Sequence, residues 1–238
     1  MLQPSEIERV LVVMAHPDDV DFGSAGSMAK LVEHGVHVTY CLVTDGDAGG
    51  SDRDMARSEM AAIRRREQTD AAAMVGVKDL VFLGYPDGRV ESTLQLRLDI
   101  SRIIREVRPH VVVAQSPERN YDRIFASHPD HLATGEATLS AVYPDSQNPF
   151  AHPELLAAGL EPWTVREVWV SGHPVPTDGV DVTEYLDQKI DALLCHVSQH
   201  ANPAVMRERV TEWMGRTAQA FGLPEGRLAE AFRVVHVS

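Results

Sequence analysis

Positively charged residues and cysteines are scarce in this chain of 238 residues. Lysine and arginine together number 22 against 35 acidic residues, only three of the 22 are lysines, and the formal net charge is -13 at pH 7. Because nucleic acids and anionic membranes are bound through clusters of positive charge, we expect neither as a partner. The two cysteines, Cys41 and Cys195, lack CxxC spacing and fall in apolar patterns, which predicts buried thiols in a reducing cytoplasm.

Long apolar runs and glycine fingerprints are also absent from the sequence. No apolar stretch approaches the roughly 20 residues that cross a bilayer, and the polar first residues do not predict a signal peptide. No GxGxxG pattern follows the first predicted strand and no GxxxxGK(S/T) pattern occurs, which disfavours a cradle for nucleotide phosphates. With 44% hydrophobic residues, no internal repeat and no linker, the chain is expected to form one soluble domain over residues 1–238.

Strand-like and helix-like segments alternate along the chain. Short apolar, β-branched runs predict strands at 10–14, 36–43, 79–83, 110–114, 165–170 and 180–182. Helical patterns follow them at 22–34, 58–75, 94–108, 129–142 and 183–196, with an irregular insertion at 143–163 and a mostly helical tail at 201–233. Because strand–helix–strand crossovers are right-handed and make the strands parallel, this order predicts an α/β fold with a mostly parallel sheet.

The first predicted strand ends in a turn rich in acidic residues. His16, Asp18 and Asp19 follow the apolar run 10–14, and ligands bind at this end of the strands in open parallel sheets. A histidine with a carboxylate three residues later can supply two ligands to one metal ion, which leaves Asp18 for another task. The alternative interpretation is a turn whose aspartates only cap the next helix.

A second turn, His128-Pro-Asp-His131, follows the fourth predicted strand, and its proline suits the first position of a helix. If the sheet is parallel, the two turns meet, and His16, Asp19 and His131 then form a set of two imidazoles and one carboxylate. Such a set, with a fourth position left for water, suits a catalytic zinc ion (Zn2+), with iron(II) and manganese as alternatives. Taken alone, the second turn is also compatible with a helix start whose histidines are simply exposed.

Three further residues of these turns have catalytic roles on the metal interpretation. Zinc lowers the pKa of its water toward roughly 7, and Asp18, which adjoins the ligand Asp19, would take the proton as general base. His128 would face the substrate from the other side and, as an imidazolium, stabilise the oxyanion or protonate the leaving amine. Asp130 would orient His128.

Four segments of the sequence carry a family resemblance. They are Ala15-His-Pro-Asp-Asp19, Arg64-x-x-Glu67, Pro86-Asp-Gly88 and Ser127-His-Pro-Asp-His131. In this order they resemble the PIG-L/LmbE-like zinc-dependent N-deacetylases, a family that includes the N-acetylglucosaminyl-phosphatidylinositol de-N-acetylases. The resemblance runs from about residue 9 to residue 142 and includes Asp21. Beyond it, Asp181-Val-Thr183 with Lys189 and His196-Val-Ser-Gln199 is similar to the family's later helix.

This resemblance implies a fold, a cofactor and a set of site residues. The fold would be a Rossmann-like three-layer α/β sandwich, and the cofactor would be Zn2+ bound by His16, Asp19 and His131. Arg64 and Asp87 match positions that family members use to hold the sugar. Without the resemblance, the spacing of Arg64 and Glu67 on one helix face indicates only a solvated ion pair.

The predicted function is a cytoplasmic zinc-dependent hydrolase that removes the N-acetyl group from an amino sugar or an amino-sugar conjugate. A zinc-activated water would attack the amide of this small-molecule substrate and release acetate. Two alternatives keep the metal site, namely an amidase that acts on a thiol conjugate and a hydratase of an unsaturated acid. A non-catalytic nucleotide-binding module is a third alternative, and the sequence leaves a homo-oligomer open.

Overall fold

A computed structural model of the chain describes residues 1–50, 52–200 and 202–237. Over these residues the strands are β1 (Arg9–Met14), β2 (His37–Thr44), β3 (Asp79–Tyr85), β4 (Val111–Gln115), β5 (Glu167–Ser171), β6 (Asp178–Asp181) and β7 (Ala229–His236). They form one sheet in the order β3-β2-β1-β4-β5-β7-β6. Strands β1 to β5 are parallel to one another, whereas β7 runs antiparallel to both β5 and β6. The predicted mostly parallel sheet is therefore confirmed.

Helices cover both faces of this sheet. In the described part of the chain they are α1 (Asp19–Gly23), α2 (Ala25–Glu33), α3 (Arg57–Met74), α4 (Leu94–Val107), α5 (Pro129–Ser140), α6 (Pro153–Ala157), α7 (Leu186–Leu194) and α8 (Met206–Ala220). Helices α2, α3, α7 and α8 pack on one face, and α4 and α5 pack on the other. The three-layer architecture is thus confirmed. Among the described residues, no helix is both long and apolar enough to cross a membrane.

Strand β1 shows why the sequences of the central strands are continuous apolar runs. Val10, Val12 and Met14 enter the core on the side of α2 and α7. Leu11 and Val13 enter the core on the side of α4 and α5. Because each face of the strand is covered by helices, neither set of alternate residues needs to be polar.

The order of the strands reverses between β1 and β4. From β1 the chain moves outward to β2 and β3, and it then returns to β4 on the other side of β1. In open parallel sheets, ligands bind outside the carboxyl ends of the strands at such a switch point. The turns that follow β1 and β4 are the two that carry the histidine motifs, so the fold brings both motifs to this crevice.

The prediction of a mostly helical tail over 201–233 is wrong at its carboxyl end. Ala229, Glu230 and Ala231 favour a helix in isolation, yet they begin strand β7. As a strand, this segment pairs with β5 on one side and β6 on the other, and it buries Phe232 completely. Pairing and burial therefore override the local propensity.

The single helix predicted over 22–34 is divided into α1 and α2. The carboxylate of Glu230 accepts hydrogen bonds from the backbone N–H groups of Gly26 and Ser27, at 3.0 and 2.7 Å. It therefore satisfies donors that the first turn of α2 leaves free, where a negative charge is also favourable. Glu230 is paired in turn with the fully buried Lys189, whose Nζ lies 2.7 Å away. The buried Lys189–Glu230 pair thus lies at the N-terminus of α2.

Candidate active site

The turn after β1 folds back against the end of its own strand. The backbone N–H of His16 donates to Asp19 Oδ2 at 2.8 Å. Asp18, between them, has a φ of 84°, which lies in the left-handed region that costs a non-glycine residue roughly 1–2 kcal/mol. Strain of this kind is found mainly where the surrounding structure holds a functional residue in place. The conformation sends the side chains of Asp18 and Asp19 to different neighbours.

The turn after β4 brings two more histidines to the same edge of the sheet. Helix α5 begins at the proline of the motif, as predicted, and His128 lies at its N-cap position. His131 lies in the first turn of α5, with Nδ1 3.4 Å from the carbonyl oxygen of Ala126. The ring centroids of His128 and His131 lie 4.9 and 5.2 Å from that of His16. The two distant motifs thus meet, as the parallel sheet predicts.

Three of these side chains lie against one another, and the Asp19 carboxylate contacts each of the two rings through a different oxygen. His16 Nδ1 lies 3.2 Å from His131 Nε2 and 3.3 Å from Asp19 Oδ2. Asp19 Oδ1 lies 3.1 Å from His131 Nε2. Ligands about 2.0–2.2 Å from a tetrahedral zinc ion are roughly 3.3–3.5 Å apart, so these separations fit one ion within a few tenths of an ångström. The set predicted from the sequence is therefore brought together.

The second ring nitrogen of His16 faces two carboxylates. His16 Nε2 lies 3.0 Å from Asp87 Oδ1 and 3.3 Å from Asp130 Oδ2. A ring whose Nε2–H donates to a carboxylate keeps its Nδ1 lone pair free for a metal ion, and this arrangement is the usual support for a histidine ligand. The geometry therefore leaves Nδ1 as the ring nitrogen of His16 that is free to accept a metal ion.

Two other groups of three donors share His16 in the described part of the chain. They are His16 with His128 and His131, and His16 with Asp87 and Asp130, each with ligand atoms within 4.8 Å of one another. The two carboxylates of the second group already accept backbone hydrogen bonds, at Asp130 from Gly88 (2.7 Å) and at Asp87 from Ala48 (3.1 Å). In the first group, His128 is the more exposed ring, with 42% of its side chain accessible. In the Asp19 set all three pairs of residues lie within 3.1–3.3 Å, and its His16 ring is supported through Nε2 by Asp87 and Asp130.

In the protein without a metal ion, neighbouring charges shift the pKa values of these donors. Burial opposes the charged form of His16, but hydrogen bonds to the three surrounding carboxylates outweigh it and raise the pKa of His16 to about 12. Burial likewise opposes the charged forms of Asp19 and His131. Their mutual attraction nevertheless holds the pKa of Asp19 well below its usual range and raises the pKa of His131. Burial and the nearby charge of His16 lower the pKa of His128.

Asp18 lies beside this donor set, against a buried arginine. Arg64 Nη2 lies 3.0 Å from Asp18 Oδ2 and donates to the carbonyl oxygen of Pro17 at 2.5 Å. Burial raises the pKa of Asp18 to about 7, the negative charge of Asp19 adds to this rise, and the guanidinium of Arg64 opposes it. The site therefore holds a carboxylate whose proton affinity suits exchange near neutral pH.

The structure revises two expectations about neighbouring residues. The prediction that the Asp130 carboxylate orients His128 is not met, because the backbone N–H of Asp130 makes that contact at 3.2 Å and its Oδ1 is 4.0 Å away. The interpretation of Arg64 as half of a solvated ion pair with Glu67 is wrong, because Arg64 is only 4% exposed. Glu67 instead accepts hydrogen bonds from Ser198. Arg64 therefore contacts Asp18 from the buried side of the turn.

Sequence reasoning missed a glutamine that touches the same turn. Gln68 Oε1 accepts a hydrogen bond from the backbone N–H of Asp18 at 2.8 Å. Gln68 lies four residues after Arg64, and residues at this spacing share one face of a helix. This spacing could have indicated Gln68 from the sequence. If Arg64 contacts the turn after β1, a residue four positions later on α3 lies on the same helix face and can contact that turn too.

Comparison with known proteins finds a matching family and similar sequences. Residues 11–142 match the PIG-L family, GlcNAc-PI de-N-acetylase. The chain is 31% identical over 232 residues to the diacetylchitobiose deacetylase of Thermococcus kodakarensis, a match that covers 97% of this chain and 84% of that one. It is 34% identical to a probable N-acetyl-alpha-D-glucosaminyl L-malate deacetylase 2 of Bacillus cereus, over 80% of this chain and 83% of that one.

A solved structure gives the same result for the fold. The N,N'-diacetylchitobiose deacetylase of Pyrococcus horikoshii superposes with a TM-score of 0.89 at 30% sequence identity. The superposition covers 98% of this chain and 85% of that one. The three-layer fold and the resemblance inferred from the sequence motifs are both confirmed.

Proposed function

The chain belongs to the PIG-L family, and on that premise we propose that it is a zinc-dependent hydrolase that removes an N-acetyl group from an amino sugar or an amino-sugar conjugate. The observation that carries this proposal is the meeting of His16, Asp19 and His131 within 3.1–3.3 Å of one another, beside a carboxylate suited to proton transfer. Relatives named for diacetylchitobiose and for N-acetylglucosaminyl malate share a 2-acetamido sugar, which is the substrate class proposed here.

The three donors would hold the metal ion, and the fourth position would face the substrate. A zinc ion there supplies a water of lowered pKa and polarises the acetyl carbonyl. Asp87 and Asp130 orient His16 through its Nε2, which keeps the first ligand in place.

Two further residues would move the protons. Asp18 takes the proton from the attacking water, because its carboxylate is held next to Asp19 by Arg64 and its pKa is raised to about 7. His128, 4.9 Å from His16 between ring centroids and partly open to solvent, would stabilise the developing oxyanion through its N–H group. To donate a proton to the amine as the C–N bond breaks, its ring, whose pKa is lowered in the protein, would first have to gain one. The products are acetate and a free amine.

The test is a panel of N-acetylated substrates. Zinc-loaded protein is incubated with N,N'-diacetylchitobiose, an N-acetylglucosaminyl conjugate and a thiol-conjugate amide, and acetate and free amine are measured separately. We expect acetate and amine in equal amounts from at least one amino-sugar compound. Amine release from the thiol conjugate alone would favour the amidase, and no release from any compound by fully loaded protein would contradict the proposal.

Removal of the Arg64 charge should shift the pH profile of the reaction. The guanidinium lowers the pKa of Asp18, so Arg64→Met raises that pKa and leaves Asp18 protonated up to a higher pH. We expect the acid limb of kcat/KM to move to higher pH. At neutral pH we expect kcat to fall about tenfold, which is less than the complete loss of a general base costs.

Arg65→Met is the matched control for this prediction. Arg65 lies on the same helix but pairs with Asp45 at 2.8 Å and is half exposed. Its loss should leave the acid limb unchanged. An unmoved acid limb with a raised KM in Arg64→Met would instead favour the direct sugar contact that the family resemblance implies.

Zinc binding should release protons at pH 7. The pKa values of His16 and His131 are both raised, so each ring keeps its second proton to a higher pH than a free imidazole, and each must lose that proton to become a ligand. We expect release of about one to two protons per zinc ion and weaker binding as the pH falls. Calorimetry in buffers of different ionisation enthalpy measures this number, and a value of zero would contradict the assignment of the histidines as ligands.

A further inference from the structure

A row of three buried polar side chains lies behind the turn that carries Asp18. Gln68 accepts from the Asp18 backbone N–H at 2.8 Å and donates through Nε2 to Asp21 Oδ2 at 2.9 Å. His196 Nε2 lies 2.8 Å from the same oxygen of Asp21. Gln68, Asp21 and His196 are each 0% exposed. Gln68 belongs to α3, Asp21 to α1 and His196 to the segment after α7. The row therefore links three separate elements, and Gln68 connects it to the backbone N–H of Asp18.

The chemistry of the row determines which way the Gln68 amide points. A carboxylate can only accept hydrogen bonds, so Asp21 Oδ2 faces N–H groups of both Gln68 and His196. The carbonyl oxygen of Gln68 is then left to face the Asp18 N–H. A flipped amide would place two donors together at Asp18 and two acceptors together at Asp21, and unpaired polar groups in a buried site are costly.

Asp18 needs such support because of its backbone conformation. Its φ of 84° is unfavourable for any residue with a side chain, and it persists only where neighbours hold it. Gln68 holds the backbone N–H, and Arg64 holds the carboxylate at 3.0 Å. A displacement of about 1 Å at a reacting group is enough to cost roughly a hundredfold in rate.

We propose that Gln68, with its amide oriented by Asp21 and His196, is a positioning residue that holds Asp18 in the conformation required for proton transfer. The inference rests on the proposed function, in which Asp18 is the general base. Because no member of the row is exposed, none of the three side chains is open to contact with the substrate, and we expect their loss to change kcat and not KM.

The first test removes both polar groups of Gln68 and keeps its length. We expect Gln68→Met to lower kcat about ten- to a hundredfold, to leave KM within about twofold and to retain its zinc. In an Asp18→Asn background the same substitution should cost no further rate, because no base remains to be positioned. An unchanged kcat in Gln68→Met, or an equal loss in both backgrounds, would overturn the proposal.

The second test exchanges the amide and the carboxylate. Gln68→Glu alone places two carboxyl groups against each other, and a proton shared between them would imitate the amide. Above the pH at which that proton is lost, the variant should be as slow as Gln68→Met, and kcat is compared there. Adding Asp21→Asn restores a donor between the two side chains, because the new amide can donate to the carboxylate introduced at position 68. It can also donate to His196 Nε2 when that ring carries its proton on Nδ1, an atom that has no hydrogen-bond partner in the structure. The introduced carboxylate then accepts from the Asp18 N–H.

We expect this double variant to regain most of the wild-type kcat. General loss of stability does not produce such a rescue, since a second substitution in a buried row would then slow the enzyme further. A well-folded double variant as slow as Gln68→Glu would overturn the proposal.

A neighbouring residue provides the control for helix anchoring. Glu67 accepts from the backbone N–H and hydroxyl of Ser198, each at 2.7 Å, and so ties the same helix to the same segment without contacting Asp18. Glu67→Gln should lower Tm and leave kcat unchanged.

A crystal structure of Gln68→Met separates this inference from the proposed function. We expect Asp18 to leave the left-handed region or to turn its carboxylate away from the metal donors, whether or not a substrate has been found. An undisplaced Asp18 overturns the positioning role alone, whereas a wild type that releases no acetate from any substrate overturns the proposed function.

Discussion

Asp18→Asn is expected to keep its zinc and to release acetate at least about a hundredfold more slowly than the wild type. Asparagine has nearly the shape of aspartate, so the contacts of the turn with Gln68 and Arg64 are largely retained. Its amide, however, cannot take a proton from water. The measurement is kcat for acetate release, together with the zinc content by elemental analysis.

Asp122→Asn is the matched control for the loss of one negative charge. Asp122 is exposed on the loop before α5 and is not among the donors around His16. It should keep both its zinc and the wild-type kcat. If Asp18→Asn also kept the wild-type kcat at full zinc occupancy, Asp18 would have no part in the proton transfer.

Replacing both Asp19 and His131 with alanine should leave the protein almost free of zinc and without measurable acetate release. The double substitution removes two of the three proposed ligands, so the remaining His16 cannot hold an ion alone. Wild-type protein should carry about one equivalent of zinc after dialysis against metal-free buffer. Elemental analysis of both proteins checks this expectation.

His128→Ala and Asp87→Asn distinguish the three donor groups that share His16. His128 belongs to a different group, so His128→Ala should keep about one equivalent of zinc and lose only rate. Asp87→Asn should keep the ion with an affinity about 10–100-fold weaker, because it removes a contact that orients His16. Full zinc content in the Asp19, His131 double variant, or loss of zinc in His128→Ala, would show that the ligand set is wrong.

The central part of the fold was predictable because its signals are local. The apolar runs of β1 and β4 are buried on both faces, and the intervening helical patterns require parallel crossovers. Strand β7 was not predictable in this way. Its alanines and Glu230 favour a helix locally, and its strand conformation depends on pairing with β5 and β6, which are distant from it in sequence and adjacent only in the folded chain.

In the candidate site, too, the features that depend on local sequence were predictable and those that depend on packing were not. The meeting of His16, Asp19 and His131 was predictable because each lies in a short motif at the end of a strand. The burial of Arg64 and the contact of Gln68 were not, because both depend on how closely α3 packs against the first turn. The partner of the Asp130 carboxylate was mistaken for the same reason: its neighbour in space is His16, from the other turn.

X-ray absorption at the zinc edge tests the central claim most directly, because it counts the imidazole ligands without relying on turnover. The account predicts two imidazoles and oxygen ligands in the wild type, one imidazole in His131→Ala, and an unchanged spectrum in His128→Ala. Three imidazoles in the wild type, or a spectrum that changes in His128→Ala and not in His131→Ala, would contradict it.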